Sequence, residues 1–164
     1  GLIIMRPYRL KRIMTFLNPW QDAQGAGFQI IQSLIAIGSG GFGGLGIGQS
    51  KQKFFYLPMQ HTDFIFSIIA EESGFIGVLF LITLLISFAY LGLRIATQLS
   101  NRFTALSTLG FISLITLQSI INIGVACGLL PTKGIGLPFI SYGNSALVCS
   151  LVMVGLIISF AREQ

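Results

Sequence analysis

The chain has 164 residues, 53% of them hydrophobic and only 9% charged, with a formal net charge of +5 and a mean hydropathy of +0.82. A soluble domain carries roughly 25% charged residues, so this composition cannot cover a water-facing surface. The membrane class is what remains.

GLIIM, residues 1–5, reads like the last turn of a preceding spanning helix. The chain starts with Gly1 and shows no signal-peptide pattern, so it reads as part of a longer protein. RPYRLKRIMTFLNPW follows, with Arg6, Arg9 and Arg12 at helical spacing. That face could lie on anionic headgroups or be an ordinary solvated basic face, and both readings stay open. NPWQDAQGAG (18–27) is turn chemistry, and Trp20 could anchor at the interface.

The apolar run 28–37 is too short to span, so a re-entrant or surface-lying helix is expected there. Eight glycines between 27 and 48 then break any regular helix. Irregular backbone at membrane depth is tolerated only where protein or a water-filled cavity surrounds it. This stretch is therefore expected to line or cap a cavity.

FYLPMQHTDFIFSIIAEE (55–72) holds the only histidine and three of the five acids. Thr62 or Asp63 could cap the helix that begins FIFSIIA. Asp63 also lies at an apolar boundary, where ionisable groups are costly and often functional. Desolvation there would raise its pKa toward a general base's range. Cap and base are compatible, and residue chemistry alone leaves both open. Glu71 and Glu72 fall within the same predicted helix, about 12 Å along its axis from Asp63, too far for a close carboxylate pair. A helix-entry or headgroup-level role is expected for both.

Three uncharged windows, 73–93, 103–130 and 144–161, reach or approach the length of a bilayer span. They predict transmembrane helices over 73–94, 103–128 and 144–161. The alternative, three buried helices of a soluble core, would leave almost nothing polar outside. RIATQLSNR (94–102) makes a short polar loop, LLPTKGIGLPFISYGN (129–144) a Pro/Gly-rich one carrying a single charge, Lys133, and 162–164 a tail. The positive-inside count, with Arg6, Arg9, Lys11, Arg12, Lys51, Lys53 and Lys133 on one side, would make 6–72 cytoplasmic. That rule weakens for long segments and for cations that bind a ligand.

Several motifs fail. GSGGFG (38–43) matches GxGxxG, but no strand–helix unit surrounds it. GGLGIGQSK approaches a P-loop but has Gln49 where lysine is needed. One histidine and two scattered cysteines exclude a structural zinc site. Cys127 and Cys149 sit in apolar segments and read as small hydrophobes, with no disulfide expected.

The run GFQIIQSLIAIGSGGFGGLGIGQSKQKFFYLPMQHTDFIFSIIAEESGFIG resembles the large extracytoplasmic loop of the SEDS family (shape, elongation, division and sporulation). LLPTKGIGLPFISYGNS resembles that family's loop before its last helix, and the match runs in order over nearly the whole chain. QSKQKFFYLP and LLPTKG resemble the cell-division branch, FtsW, and its sporulation relative SpoVE, more than the elongation branch, RodA.

The resemblance implies an all-α polytopic membrane protein, of which this chain is the C-terminal part of a roughly ten-helix bundle. Residues 6–72 would be the large, partly helical extracytoplasmic loop, 95–102 a cytoplasmic loop, 129–143 an extracytoplasmic loop and 162–164 a cytoplasmic tail. It implies a peptidoglycan glycosyltransferase of the bacterial cytoplasmic (inner) membrane, polymerising lipid II on the outer face during septal cell-wall synthesis. Asp63 in HTDF matches the family's essential aspartate. Lys51, Lys53, His61, Lys133 and Ser141 become candidate substrate-binding residues. No tightly bound cofactor is implied, though a divalent cation, magnesium or manganese, could help neutralise the diphosphate; no metal-ligand set can be read. The implied partners are a class B penicillin-binding protein and other divisome proteins, and not nucleic acid. The rival readings are a lipid II flippase and a non-catalytic divisome scaffold. SYGNSA departs from the family's usual SYGGSS at Asn144 and Ala146, and Gly136 stands where the division branch often has threonine.

Overall fold

The computed structural model describes residues 19–22, 27–49, 64–132 and 134–162. All regular structure among them is helical: a 3-10 turn at Pro19–Asp22, then α1 (Phe28–Ser39), α2 (Ile65–Gln98), α3 (Arg102–Ala126) and α4 (Asn144–Arg162). Helices α2, α3 and α4 are each long and apolar enough to cross a membrane. Helices α2 and α4 cover the first and third uncharged windows, α3 ends at Ala126, short of the end of the second, and α2 begins at Ile65, well before its window. Helix α1 has 12 residues, about 18 Å of axial rise, short of the roughly 30 Å hydrocarbon core.

Helices α2 and α3 form an antiparallel pair because only Leu99–Asn101 separates them. The Asn101 side chain starts α3 by accepting the Phe103 N–H at 2.9 Å, which satisfies one of the free donors of the first turn. Gly92 lets the helices close together, since a side chain there would meet Ile112. Thr108, Ile112 and Ile115 are buried on the facing side of α3. The opposite faces carry large apolar groups outward, among them Phe75, Phe80, Tyr90 and Leu117. Water would penalise such a surface, and lipid does not.

The head of α2 is packed very differently from its middle. Phe64, Phe66, Ser67, Ile68, Ala70 and Glu71 are all buried. Against them lie α1, through Ile30, Ile31, Ser33 and Ala36, and the glycine-rich loop 40–49. Glu71 is only 2% exposed, so it does not face headgroups as expected from its place in the sequence.

Helix α2 is interrupted at Gly74 (φ 63°, ψ −162°). An unbroken helix would pair Phe75 N–H with Glu71 O and Ile76 N–H with Glu72 O. The break frees these four groups, and the glycine loop takes all of them. Phe75 N donates to Gly41 O at 2.9 Å and Ile76 N to Phe42 O at 3.3 Å. Leu45 N and Gly46 N donate to Glu71 O and Glu72 O, each at 3.0 Å. No buried backbone group in this exchange is left unpaired, which is what makes a mid-helix break tolerable. Gly74 is required twice. Its dihedrals suit glycine alone, and a Cβ there would collide with the backbone of Phe42, Gly43 and Gly44.

Candidate functional site

Three sets of contacts bring one end of the bundle together. In the first, Ser33 of α1, fully buried, donates its hydroxyl to Ala126 O, the last residue of α3, at 2.6 Å. Its Oγ also lies 2.5 Å from the Oγ of buried Ser67. One hydroxyl thus links α1, the head of α2 and the end of α3. The head of α2 follows Asp63 directly, and the chain leaving Ala126 leads to Lys133. Hydroxyl bonds in an apolar setting resist competition from water.

The second set is the exchange of hydrogen bonds between the glycine loop and Glu71–Ile76, described above. It fixes the loop backbone against the same helix head.

The third holds the loop after α3. Asn122, 1% exposed, donates through Nδ2 to Ile135 O at 2.7 Å. Gln118, one turn earlier on the same face, donates through Nε2 to Gly136 O at 3.0 Å. Farther along, Leu137 N donates to Ser141 Oγ at 2.5 Å, and Ser141 N donates to Leu137 O at 2.9 Å. Phe139 adopts a left-handed backbone (φ 66°), which costs a non-glycine residue roughly 1–2 kcal/mol. Its ring meets Phe88 of α2 edge-on, with centroids 6.0 Å apart, a contact worth about 0.5–1.5 kcal/mol beyond burial. Irregular backbone in this loop is therefore pinned to α3 by two amides and to α2 by one ring.

Between that loop, α3 and the first turn of α4 lies a cavity of about 250 Å³, lined in part by Gln118, Gly136, Ser141, Tyr142 and Ala146. It combines carbonyls, amides and hydroxyls with apolar walls. No group of three or more acidic, histidine or cysteine side chains that could hold a metal occurs among the described residues.

Of the residues singled out in the sequence, Ser141 borders this cavity and its oxygen secures the loop turn. Lys51, Lys53, His61, Asp63 and Lys133 lie outside the described residues, as do the basic stretch 6–18 and the GLIIM segment. Asn144 is the first residue of α4 and is not among the positive-φ residues, so its substitution for glycine imposes no backbone strain. The sequence reading did not single out Ser33, Ser67, Gln118, Asn122 or Gly74. The signal for Gln118 and Asn122 was present: two amides four residues apart in an otherwise apolar run must bond something.

The family profile FTSW_RODA_SPOVE, described as "Cell cycle protein", matches residues 1–164. The chain is 51% identical over 162 residues to stage V sporulation protein E of Bacillus subtilis (strain 168), covering 99% of this chain and 44% of that protein. It is 48% identical over 163 residues to "Probable peptidoglycan glycosyltransferase FtsW" of Geobacter sp. (strain M18), again 99% of this chain and 44% of the relative. Its fold aligns with TM-score 0.73 and 36% identity to a chain of a solved structure described as "Structural coordination of polymerization and crosslinking by a peptidoglycan synthase complex". That alignment covers 97% of this chain and 43% of the other. The chain spans less than half the length of these relatives.

Proposed function

The chain belongs to the FtsW/RodA/SpoVE family of cell cycle proteins, and on that premise we propose that the full-length protein is a peptidoglycan glycosyltransferase of the FtsW/SpoVE branch. The observation that carries this reading is 48% identity, over 163 residues, to a relative named for that activity. The substrate class is lipid II, a disaccharide–peptide on undecaprenyl diphosphate, and the site faces the extracytoplasmic side of the bacterial inner membrane.

In this reading Asp63 is the general base. Its carboxylate takes the proton of the acceptor sugar hydroxyl as that oxygen attacks the anomeric carbon of the donor. The glycosidic bond forms, the bond to the diphosphate breaks, and undecaprenyl diphosphate leaves with the electron pair. Lys51, Lys53 and Lys133 are assigned to the diphosphate, as point charges that tolerate varied geometry. His61 and Ser141 are assigned to the sugar–peptide portion. A divalent cation, magnesium or manganese, would neutralise part of the leaving group's charge. The Ser33 link supports the scheme, since it joins the helix that follows Asp63 to the one that leads to Lys133. The partner is a class B penicillin-binding protein, which crosslinks the strands made here.

A transporter of the same lipid is the rival. It needs acidic, basic or histidine side chains near the bilayer midplane, and residues 75–93, 103–128 and 144–161 of this chain contain no Asp, Glu, His, Lys or Arg. The discriminating experiment places the purified full-length protein and its partner in vesicles with fluorescent lipid II. Two products are measured: polymer on a gel and lipid II moved across the bilayer. A polymer ladder at the rate of the partner complex supports the enzyme. Transfer of lipid II without a ladder overturns it.

A further inference from the structure

The glycine loop has a surface that the proposed chemistry does not use. Residues 40–49 carry no charge, yet Phe42 is 82% and Ile47 93% exposed, with Leu45 at 40%. A solvated loop of this composition would present three large apolar groups to water beside an already apolar helix.

The depth of the loop can be worked out from α2. The charge that closes its apolar stretch is Arg94. The 19 residues from Phe75 to Leu93 rise about 28 Å, nearly the roughly 30 Å hydrocarbon thickness. The hydrocarbon boundary therefore falls close to Gly74, with Glu71 and Glu72 just beyond it. The loop is fastened at this level by the bonds from Phe75 N and Ile76 N to Gly41 O and Phe42 O. Phe42 meets Phe75 edge-on with ring centroids 6.0 Å apart. Phe75, Ile76, Leu79 and Phe80 are exposed and form the lipid-facing side of the span. Phe42 extends that face without a break.

We infer that the glycine loop is a membrane-interface anchor: Phe42 and Ile47 enter the lipid at the headgroup–acyl boundary, beside the break in α2. The occupant of this surface is bilayer lipid. Aromatic and apolar side chains at that depth bury their surface among the lipid chains while nearby polar groups stay hydrated. The bonds to α2 satisfy Phe42 O, Leu45 N and Gly46 N, which meets at these groups the requirement on irregular backbone at the edge of hydrocarbon. This inference is independent of the glycosyltransferase reading.

The test uses full-length protein in nanodiscs, otherwise cleared of cysteine, with spin labels at Phe42→Cys or Ile47→Cys. Leu79→Cys is the lipid reference and Ser100→Cys the water reference. Collision rates with oxygen and with a water-soluble nickel complex are measured. The expected result is an oxygen-to-nickel ratio at 42 and 47 several-fold above that at 100 and approaching that at 79. A nickel-dominated ratio would mean water, and low access to both agents would mean a protein cover; either overturns the inference. Quenching of Phe42→Trp fluorescence by lipids brominated near the headgroup end of the chain provides a label-free second measurement. Quenching is expected, and its absence counts against the anchor.

Discussion

Replacing Gly74 by alanine tests the packing account at its most constrained point. Keeping the native backbone would hold alanine in a glycine-only region, at roughly 1–3 kcal/mol, and force its methyl against loop backbone, at roughly another 1–3 kcal/mol. The chain has a cheaper escape. If α2 straightens, Phe75 N and Ile76 N recover their helical acceptors Glu71 O and Glu72 O, and the loop is released. Four cross-bonds are exchanged for two, a net loss of about 2 kcal/mol at ~1 kcal/mol each. Losing the Phe42–Phe75 ring contact adds about 0.5–1.5 kcal/mol. Released loop and strained loop therefore lie within a few kcal/mol, and release is the expected outcome. Hydrogen–deuterium exchange on the full-length protein separates them. The Leu45 and Gly46 amides should lose protection by about 10²-fold, the equivalent of about 3 kcal/mol at 1.4 kcal/mol per decade, while Phe75 and Ile76 stay protected. Gly110→Ala, where nothing lies within 4 Å of the added carbon, should be neutral or stabilising by about 0.5–1 kcal/mol. Wild-type protection at Leu45 and Gly46 in Gly74→Ala would mean that the loop does not depend on the break at Gly74.

Other perturbations reach the rest of the assembly. Ser33→Ala removes the donor to Ala126 O and the contact with Ser67, and should cost about 1–3 kcal/mol, read as a lower melting temperature of the full-length protein in detergent. Asn122→Leu leaves Ile135 O without that donor and should free the loop after α3. Glycan synthesis should fall more than stability, with proteolysis between 130 and 143 accelerated, whereas Asn122→Gln should restore part of both. Asn101→Ala, at the opposite end of the bundle, removes a cap worth about 1 kcal/mol and should lower thermal stability without changing the pH profile of polymerisation.

The three spans were legible in the sequence because hydrocarbon imposes a simple rule: about 20 apolar residues without charge. The short α1 followed from the same rule applied in reverse. The start of α2 was harder. Its first turns are buried by α1 and the glycine loop through contacts such as Leu45–Glu71, 26 residues apart, so the uncharged window began too late. Gly74 could not be told from the chain's other glycines, since its need arises from the approach of Gly44, thirty positions earlier. Ser33 and Ser67 are ordinary residues whose importance comes only from meeting each other and Ala126 O. Gln118 and Asn122 were readable as polar side chains in an apolar helix, though not their acceptors. Asp63 stood out by its place at an apolar boundary, with local chemistry leaving cap and base equally open, whereas the lysines came forward through family resemblance.

The proposed function turns on the assignment of Asp63 as general base. Its most direct test is lipid II polymerisation by the full-length protein with its partner, comparing wild type with Asp63→Asn at equal folded, partner-bound protein. Asparagine preserves shape and can still cap a helix, so structure is held while the base is removed. The expected rate loss is about 10²–10⁴-fold. Polymer formed at near the wild-type rate would contradict it.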